Sequence, residues 1–364
     1  MLLILSDRGD VTVDMVLPKI ESRGLPVVWW DPGDFPSGGR VTVTFQGDES
    51  SFLLTTEDRV LDLGDVTAVW VRRPNAPTAA VNMTDPTQRA HVERVSRFFM
   101  AGLWDLLTVP WFPARPPAVD RAHNKLVHLD RAVRLGFTIP ETVMTNDPAA
   151  LVPAYARSDG HLVAKLFDSH RFLLDGQDHR VHTTAVTRRQ LTSRHRVQHE
   201  PVILQPYVPK AVELRVTVVG DRVFAVEIDA RDARAAHDDR RHHDDTRARY
   251  AVHTLPADVE RRCVDLVVDL GLAYGAIDLI LRPDGEYVFL EIDPNGEWGW
   301  LETSTGLPIS EAVADWLGTA ARNAGQSRDA GQSRDAGQSR DAGQGRDAGQ
   351  GRGAEAGDEV PDRS

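Results

Sequence analysis

Lysine is almost missing from this chain. Lys19, Lys125, Lys165 and Lys210 are the only four in 364 residues, against 38 arginines. A lysine kept against that bias is a candidate for work a guanidinium cannot do, because its ammonium is a compact point charge. Cysteine is scarcer still. Cys263 alone excludes an intramolecular disulfide framework and fits a reducing compartment. It falls in the helical stripe Val259, Cys263, Leu266, Val267, Leu270, so it reads as a buried thiol rather than a nucleophile. No apolar run approaches membrane-spanning length, and Met1 to Leu5 is too short and too uncharged for a signal peptide. A basic excess is missing too: the net charge of −12 argues against nucleic acid as the main partner. The first strand is followed by no Gly-x-Gly-x-x-Gly, and no Ser-His-Asp or Cys-His arrangement stands out. These absences leave a protein expected in the cytoplasm, without a dinucleotide fingerprint or a protein nucleophile.

What is present centres on residues 275–302. Two apolar runs flank Asp284-Gly285, a strong signal for a two-residue hairpin turn. With that turn, paired residue numbers sum to 569, so Asp278 faces Glu291, and Asp293 follows on the same side. The other side reads Ile277, Leu279, Leu281 and Val288, Leu290, Ile292, and is expected to be core. Opposed carboxylates have Cβ atoms about 5 Å apart and repel. Three acids on one side of an apolar hairpin want a cation. A metal, a solvated acidic face and an arginine partner elsewhere all remain open at this point.

The rest of the chain divides into four stretches. Residues 1–115 read as an α/β lobe: strand Leu2 to Leu5, helix Val11 to Ser22, strand Val27 to Trp30, a hairpin over 41–55, strand Ala68 to Val71, and a helix Gln88 to Leu107 burying Val92, Val95, Phe99 and Leu103. Residues 116–204 open with a helix capped by Asp120 and stopped by Gly136, with Lys125 in its first turns, where a surface lysine is the bland reading. The strand His161 to Phe167 carries Lys165 at its centre, and a strand-interior ammonium implies an anion partner. A polar stretch from 168 to 184 reads as a flap. Residues 205–322 begin at Gln205-Pro-Tyr-Val-Pro, where proline breaks the ladder and leaves backbone groups of Gln205 to Val208 to bond something else. A hairpin around Gly220-Asp221 follows, with Glu213 and Arg215 on one side. The loop 232–249, rich in His and Asp, reads as solvated rather than metal-binding. From Ala324 onward residues 323–364 carry the repeat Ala-Gly-Gln-Ser/Gly-Arg-Asp, a hexad without a large apolar residue, and are expected to be disordered.

Lys125, Lys165, Gln205-Pro-Tyr-Val208, Glu213, Arg215, Asp278 and Glu291-Ile-Asp293 together resemble the ATP-grasp superfamily, over residues 115–320. More narrowly, Val69-Trp-Val-Arg-Arg-Pro74, Asn124-Lys-Leu126, Gly136-Phe-Thr-Ile-Pro-Glu-Thr142, Thr145-Asn-Asp-Pro148, the run from Gln205 to Gly220 and Leu290-Glu-Ile-Asp-Pro-Asn-Gly-Glu-Trp-Gly-Trp300 are similar to the peptide-cyclising ligases of the graspetide (microviridin-type) group. The resemblance implies an ATP-grasp fold with a preceding α/β domain, and ATP held between two α+β subdomains. It implies that Lys125 and Lys165 neutralise phosphates, that Gln205, Tyr207 and Val208 meet adenine, and that Glu213 accepts from ribose. Arg215 would clamp the transferring phosphoryl group or the acyl phosphate, and Arg247, in Asp245-Thr-Arg247, would also reach phosphate. Asp278, Glu291 and Asp293 would hold two Mg²⁺. The family usually has Asn at the position of Asp293, which leaves open whether Asp293 or Asn295 completes the shell.

The activity so implied is phosphorylation of an Asp or Glu side chain of a ribosomal precursor peptide, then ring closure by a Ser or Thr hydroxyl or a Lys amine. Positioning and charge stabilisation would carry such a reaction. The implied partners are a precursor peptide with its leader, docking on the basic stretch from Arg171 to Arg196, and a second copy in a homodimer. Nucleic acid and membrane are not expected partners. A ligase adding free amino acids, and a nucleotide-gated binding protein without activity, are the competing readings.

Overall fold

The structure, a computed structural model, describes residues 1–167, 171–174, 177–180, 183–229 and 249–344. Arg247, the loop from His237 to His243 and residues 345–364 of the repeats lie outside the described residues.

The first lobe forms where the sequence places it. β1 (Leu2–Leu5), α1 (Val11–Ser22) and β2 (Val27–Trp30) are a βαβ unit, with Asp10 capping α1 by accepting from Thr12 N. β3 (Arg40–Gln46), β4 (Glu49–Thr55) and β5 (Val60–Asp62) make a small antiparallel sheet. β6 (Ala68–Val71), α2 (Pro86–Leu106) and β7 (Trp111–Phe112) complete the lobe, whose parallel sheet runs β2-β1-β6-β7. On α2 the buried stripe is Ser96, Met100, Leu103 and Trp104. Val95 and Phe99, expected inside, are exposed. The large Met100 and Trp104 side chains fill the space against Trp30 and Trp111, which rotates the helix away from its aliphatic stripe.

The expected single helix after the first lobe is two. α3 (Pro116–His123) and α4 (Lys125–Arg134) meet at Asn124, whose extended backbone breaks the run and whose side chain accepts from Leu126 N to cap α4. Lys125 is thereby the first residue of a helix. β8 (Val143–Thr145), α5 (Leu151–Arg157), β9 (Leu162–Leu166), β10 (Arg171–Leu174), β11 (Gln177–Arg180), β12 (Thr184–Ala185), α6 (Arg188–Leu191) and β13 (Val202–Pro206) follow. β10 and β11 pair as the hairpin expected of residues 168–184. The central sheet runs β12-β9-β13-β8.

The third part is an antiparallel sheet in the order β16-β15-β14-β17-β18, formed by β14 (Val212–Val219), β15 (Arg222–Asp229), β16 (Arg249–His253), β17 (Tyr274–Leu281) and β18 (Tyr287–Asp293). α7 (Ala257–Asp269) covers one face, burying Val259, Cys263, Leu266 and Val267 as the stripe requires. Burial pushes the Cys263 thiol up to about 12. α8 (Gly299–Thr305) and α9 (Ile309–Gln344) close the chain. α9 continues past Arg322 into the repeats, where disorder was expected. Their Ala, Gln and Arg are good helix formers, whereas the last residue in a core is Ala321. Among the described residues no helix is long and apolar enough to cross a membrane.

The two faces of the third sheet do different work. Leu214, Val216, Val218, Ile277, Leu279, Phe289 and Ile292 pack with α3, α4 and α7 in one apolar cluster. Full burial of such side chains contributes roughly 1.5–3 kcal/mol each. On the other face Val219, Phe224, Val226, Tyr274 and Ala276 share a core with β1, α1, β6 and α9. The first lobe is thus fused to the upper half of that face, and the lower half stays open for charged residues.

Candidate active site

Register brings the charges together. Arg215 on β14 pairs with Asp278 on β17, which pairs with Glu291 on β18, making one row across three strands. Asp293 lies one row on, opposite Ala276. The turn that sets this register is not the expected one. Arg282 and Glu286 close a three-residue loop of Pro283, Asp284 and Gly285, with Gly285 at φ 90°. Pairs next to the loop, such as Leu281 with Tyr287, are one residue out of the expected register. A bulge opposite the step from Asp278 to Leu279 absorbs Leu290 and restores the pairing of Asp278 with Glu291. The core side of β18 is therefore Tyr287, Phe289 and Ile292, rather than Val288, Leu290 and Ile292.

Each acid meets a cation. Arg215 Nη1 donates to Asp278 Oδ1 at 2.7 Å. Lys125 Nζ donates to Glu291 Oε2 at 2.5 Å. His123 Nε2 lies 3.4 Å from Asp293 Oδ1. The first pair, with side chains 6% and 17% exposed, is the least screened, and the third, at 50% and 37%, the most. Burial alone would raise the Asp293 carboxyl, but the His123 bond and the Arg215 charge hold it down, to about 2. The same bond raises His123 above its ordinary value. Beneath them, burial lowers His128 to about 4, with its ring edge-on to Phe289.

Among the described residues, no three His, Cys, Asp or Glu side chains converge tightly enough to hold a metal. The arginine partner left open by the sequence is what Asp278 has. The donor set still fits a hard divalent cation: three carboxylates on one open face supply only oxygen. Their partners Lys125, Arg215 and His123 are the groups that an incoming phosphate would draw away.

The nucleotide candidates lie on the neighbouring sheet. Lys165 is part-buried on β9, opposite Ile203 and on the side away from the Leu162, Leu204 and Leu151 cluster. Gln205 is buried on the same side and donates from Nε2 to Thr142 Oγ1 at 2.9 Å. The expectation of free backbone at Gln205 and Pro206 is corrected. The ladder to β9 runs through Pro206, and Tyr207 N donates to His161 O at 2.7 Å. Ladder pairing survives because a strand end needs no donor from Pro206. The Tyr207 ring is exposed and Val208 part-buried. Glu213 stands two residues before Arg215 on β14, where it meets Lys210.

Sequence reasoning missed two partners. His123 has no periodic signal, and only the break at Asn124 turns it toward Asp293. Arg72, in the quoted Val69 to Pro74 motif, had no assigned role. It is 3% exposed and donates to Asn295 O, the backbone just past Asp293.

The lobe over residues 1–115 and the two α+β parts that follow it have the fold of the ATP-grasp ligases. The chain belongs to the ATP-grasp ligases of the graspetide, microviridin-type group. The macrocyclase MdnC of Microcystis aeruginosa, solved with its precursor peptide MdnA, is 31% identical over 87% of this chain and 99% of its own, with a TM-score of 0.78. The macrocyclase MdnB of the same organism is 32% identical over 87% and 98%, with a TM-score of 0.73. A ribosomal-peptide-associated ATP-grasp ligase of Chryseobacterium gregarium, solved with ADP and a leader and core peptide, is 28% identical over 87% and 96%, with a TM-score of 0.80. Residues 1–115 match the family model described as the MvdD pre-ATP grasp domain. No curated protein matches the sequence.

Proposed function

We propose that the protein is an ATP-dependent peptide ligase that activates Asp or Glu side chains of a ribosomal precursor peptide as acyl phosphates. Ser or Thr hydroxyls, or Lys amines, then close the rings. The observation that carries this reading is the row Arg215, Asp278, Glu291 with Lys125 reaching in from α4. It stands in a chain 31% identical to a macrocyclase solved with its precursor.

The roles follow from chemistry. Lys125 and Lys165 neutralise phosphate oxygens as point charges, and Arg215 spans two oxygens of the transferring group as a planar fork. Asp278, Glu291 and Asp293, with Asn295 beside them, would hold Mg²⁺, which supplies charge neutralisation at the phosphates. Gln205, Tyr207 and Val208 line the adenine side, and Glu213 accepts from ribose hydroxyls once Lys210 turns away. Arg247 is a further phosphate ligand in this reading. The chain's own part is to orient the peptide carboxylate in line with the phosphoryl group and keep water out. The phosphorylated carboxyl carbon is then attacked by the hydroxyl or amine, phosphate leaves, and the attacking group loses its proton.

Mass spectrometry of the precursor peptide, identified as a short acidic and Ser/Thr-rich open reading frame beside the gene, tests this after incubation with ATP and Mg²⁺. Loss of one water per ring is expected. A mass gain equal to an amino acid would replace cyclisation by amino-acid ligation.

A further inference from the structure

The loop after β18 is gripped from the first lobe, and the grip reaches the reacting end of the site. Arg72 closes β6 and is almost wholly buried. Its guanidinium donates to Asn295 O and lies 2.9 Å from Glu297 Oε1, 3.3 Å from Thr12 Oγ1 and 3.6 Å from Asp10 Oδ2. Arg73 Nη1 reaches the same Glu297 oxygen at 2.6 Å, and Thr12 donates to the other at 2.8 Å. From below, Tyr274 donates to Gly296 O at 2.7 Å, and Asn295 N donates to Asp293 Oδ1 at 2.9 Å. A Cβ on Gly296 would stand 2.8 Å from Arg215 Nη2 and 2.5 Å from Ala276 Cβ. The loop is thus a wedge between Arg72 above and the Arg215 guanidinium below.

We propose that Arg72 and Arg73, acting through Glu297, are positioning residues that fix the loop of residues 294–297 and so the aim of Asp293 and Arg215. The inference rests on the ligase reading given above. A lobe outside the nucleotide sheets then completes the site by holding, not by touching, the reacting groups. Partners of this kind around metal ligands are worth roughly 10–100-fold in metal affinity or activity. A purely structural brace would instead cost stability and leave affinity alone. Arg73 is half exposed, so Arg73→Ala keeps the fold, and Glu297→Gln keeps the shape of its side chain while removing its charge.

The experiment is Mn²⁺ titration of the full chain with ADP, read by electron paramagnetic resonance, beside thermal melting and peptide turnover. The expected result for both variants is Mn²⁺ affinity and kcat lowered roughly 10-fold or more, with KM for the peptide unchanged. The melting temperature is unchanged in Arg73→Ala and falls in Glu297→Gln, where the buried Arg72 loses its nearest charge. Arg72→Lys, which keeps the charge but not the fork, falls in the same direction. Unchanged Mn²⁺ affinity in Arg73→Ala and Glu297→Gln overturns the inference while leaving the ligase reading intact. A wild-type protein that binds no Mn²⁺ with ADP overturns both.

Discussion

Lys125 is the first residue of α4, and its ammonium lies 2.5 Å from Glu291 on the far strand of the acidic hairpin. A cation at that end of a helix opposes the macrodipole, which favours anions there. Glu291 offsets that conflict.

The first prediction concerns an exchange of partners at that ion pair. If Glu291 takes the metal and Lys125 the phosphate, as proposed, each ligand frees the ion-pair partner that the other needs, so the two affinities are coupled. Calorimetry should show ADP tightening Mn²⁺ binding at least about 10-fold, a coupling of roughly 1.4 kcal/mol. Lys125→Ala should tighten metal binding without nucleotide, weaken ADP, and abolish most turnover. Its stability should fall by roughly 1–3 kcal/mol, because the largely buried Glu291 loses its cation opposite Asp278. Equal metal affinity with and without ADP would count against the exchange.

Gly296 offers a steric test. Gly296→Ala must displace Ala276 or the Arg215 guanidinium, each under 3 Å from the added carbon. Overpacking of this kind costs about 1–3 kcal/mol. Turnover should fall further than melting temperature predicts, because Arg215 is what moves. A variant with normal kcat would show that the loop has room to shift.

His128 gives the pH prediction. Its folded value near 4 lies below the ordinary 6.5. Between those two values the unfolded chain takes up a proton that the native chain refuses, so stability is present above pH 6.5 and is lost as pH falls toward 4. The shift corresponds to about 3 kcal/mol at most. Chemical denaturation of His128→Gln across pH 4 to 7 should be flatter than wild type in that window. Parallel curves would place His128 in a wetter setting.

Deletion of everything after Arg322 should leave turnover unchanged and melting within about 2 °C. Among the described residues the last core contact is Ala321, and helix without tertiary packing adds little in water. A larger loss would give the repeats a structural role.

Much of this was legible in sequence, for reasons particular to each part. β1, α1, β2 and β6 were read with correct bounds because buried runs and a capped stripe encode them locally. Cys263 and its stripe were legible likewise. The helix break at Asn124 was not, because Asn tolerates both helix and cap, and the choice is made by the packing of α3 and α4 against β18. The α2 stripe was misplaced because packing of Met100 and Trp104 outweighs the aliphatic pattern. Of the site, the acids were legible because hairpin register puts Asp278 opposite Glu291, and Lys125 only through the scarcity of lysine and the family resemblance, since a surface lysine was its bland reading. Their cations were not, since Arg215 with Asp278 and His123 with Asp293 are contacts between distant segments. The pairing of Asp278 with Glu291 emerged from two deviations that cancel, a longer loop and a bulge.

That bulge gives the hairpin an unequal tolerance to deletions. Without Leu290 the strand β18 would run on as a regular ladder, with Leu279 still opposite Phe289 and Asp278 still opposite Glu291, so both carboxylates would keep their side. Removing Ile292 instead would bring Asp293 opposite Ile277 and turn its carboxylate into the apolar layer. A length change at the bulge is therefore one the site absorbs, whereas the same change two residues further on is a lesion of chemistry as well as of folding.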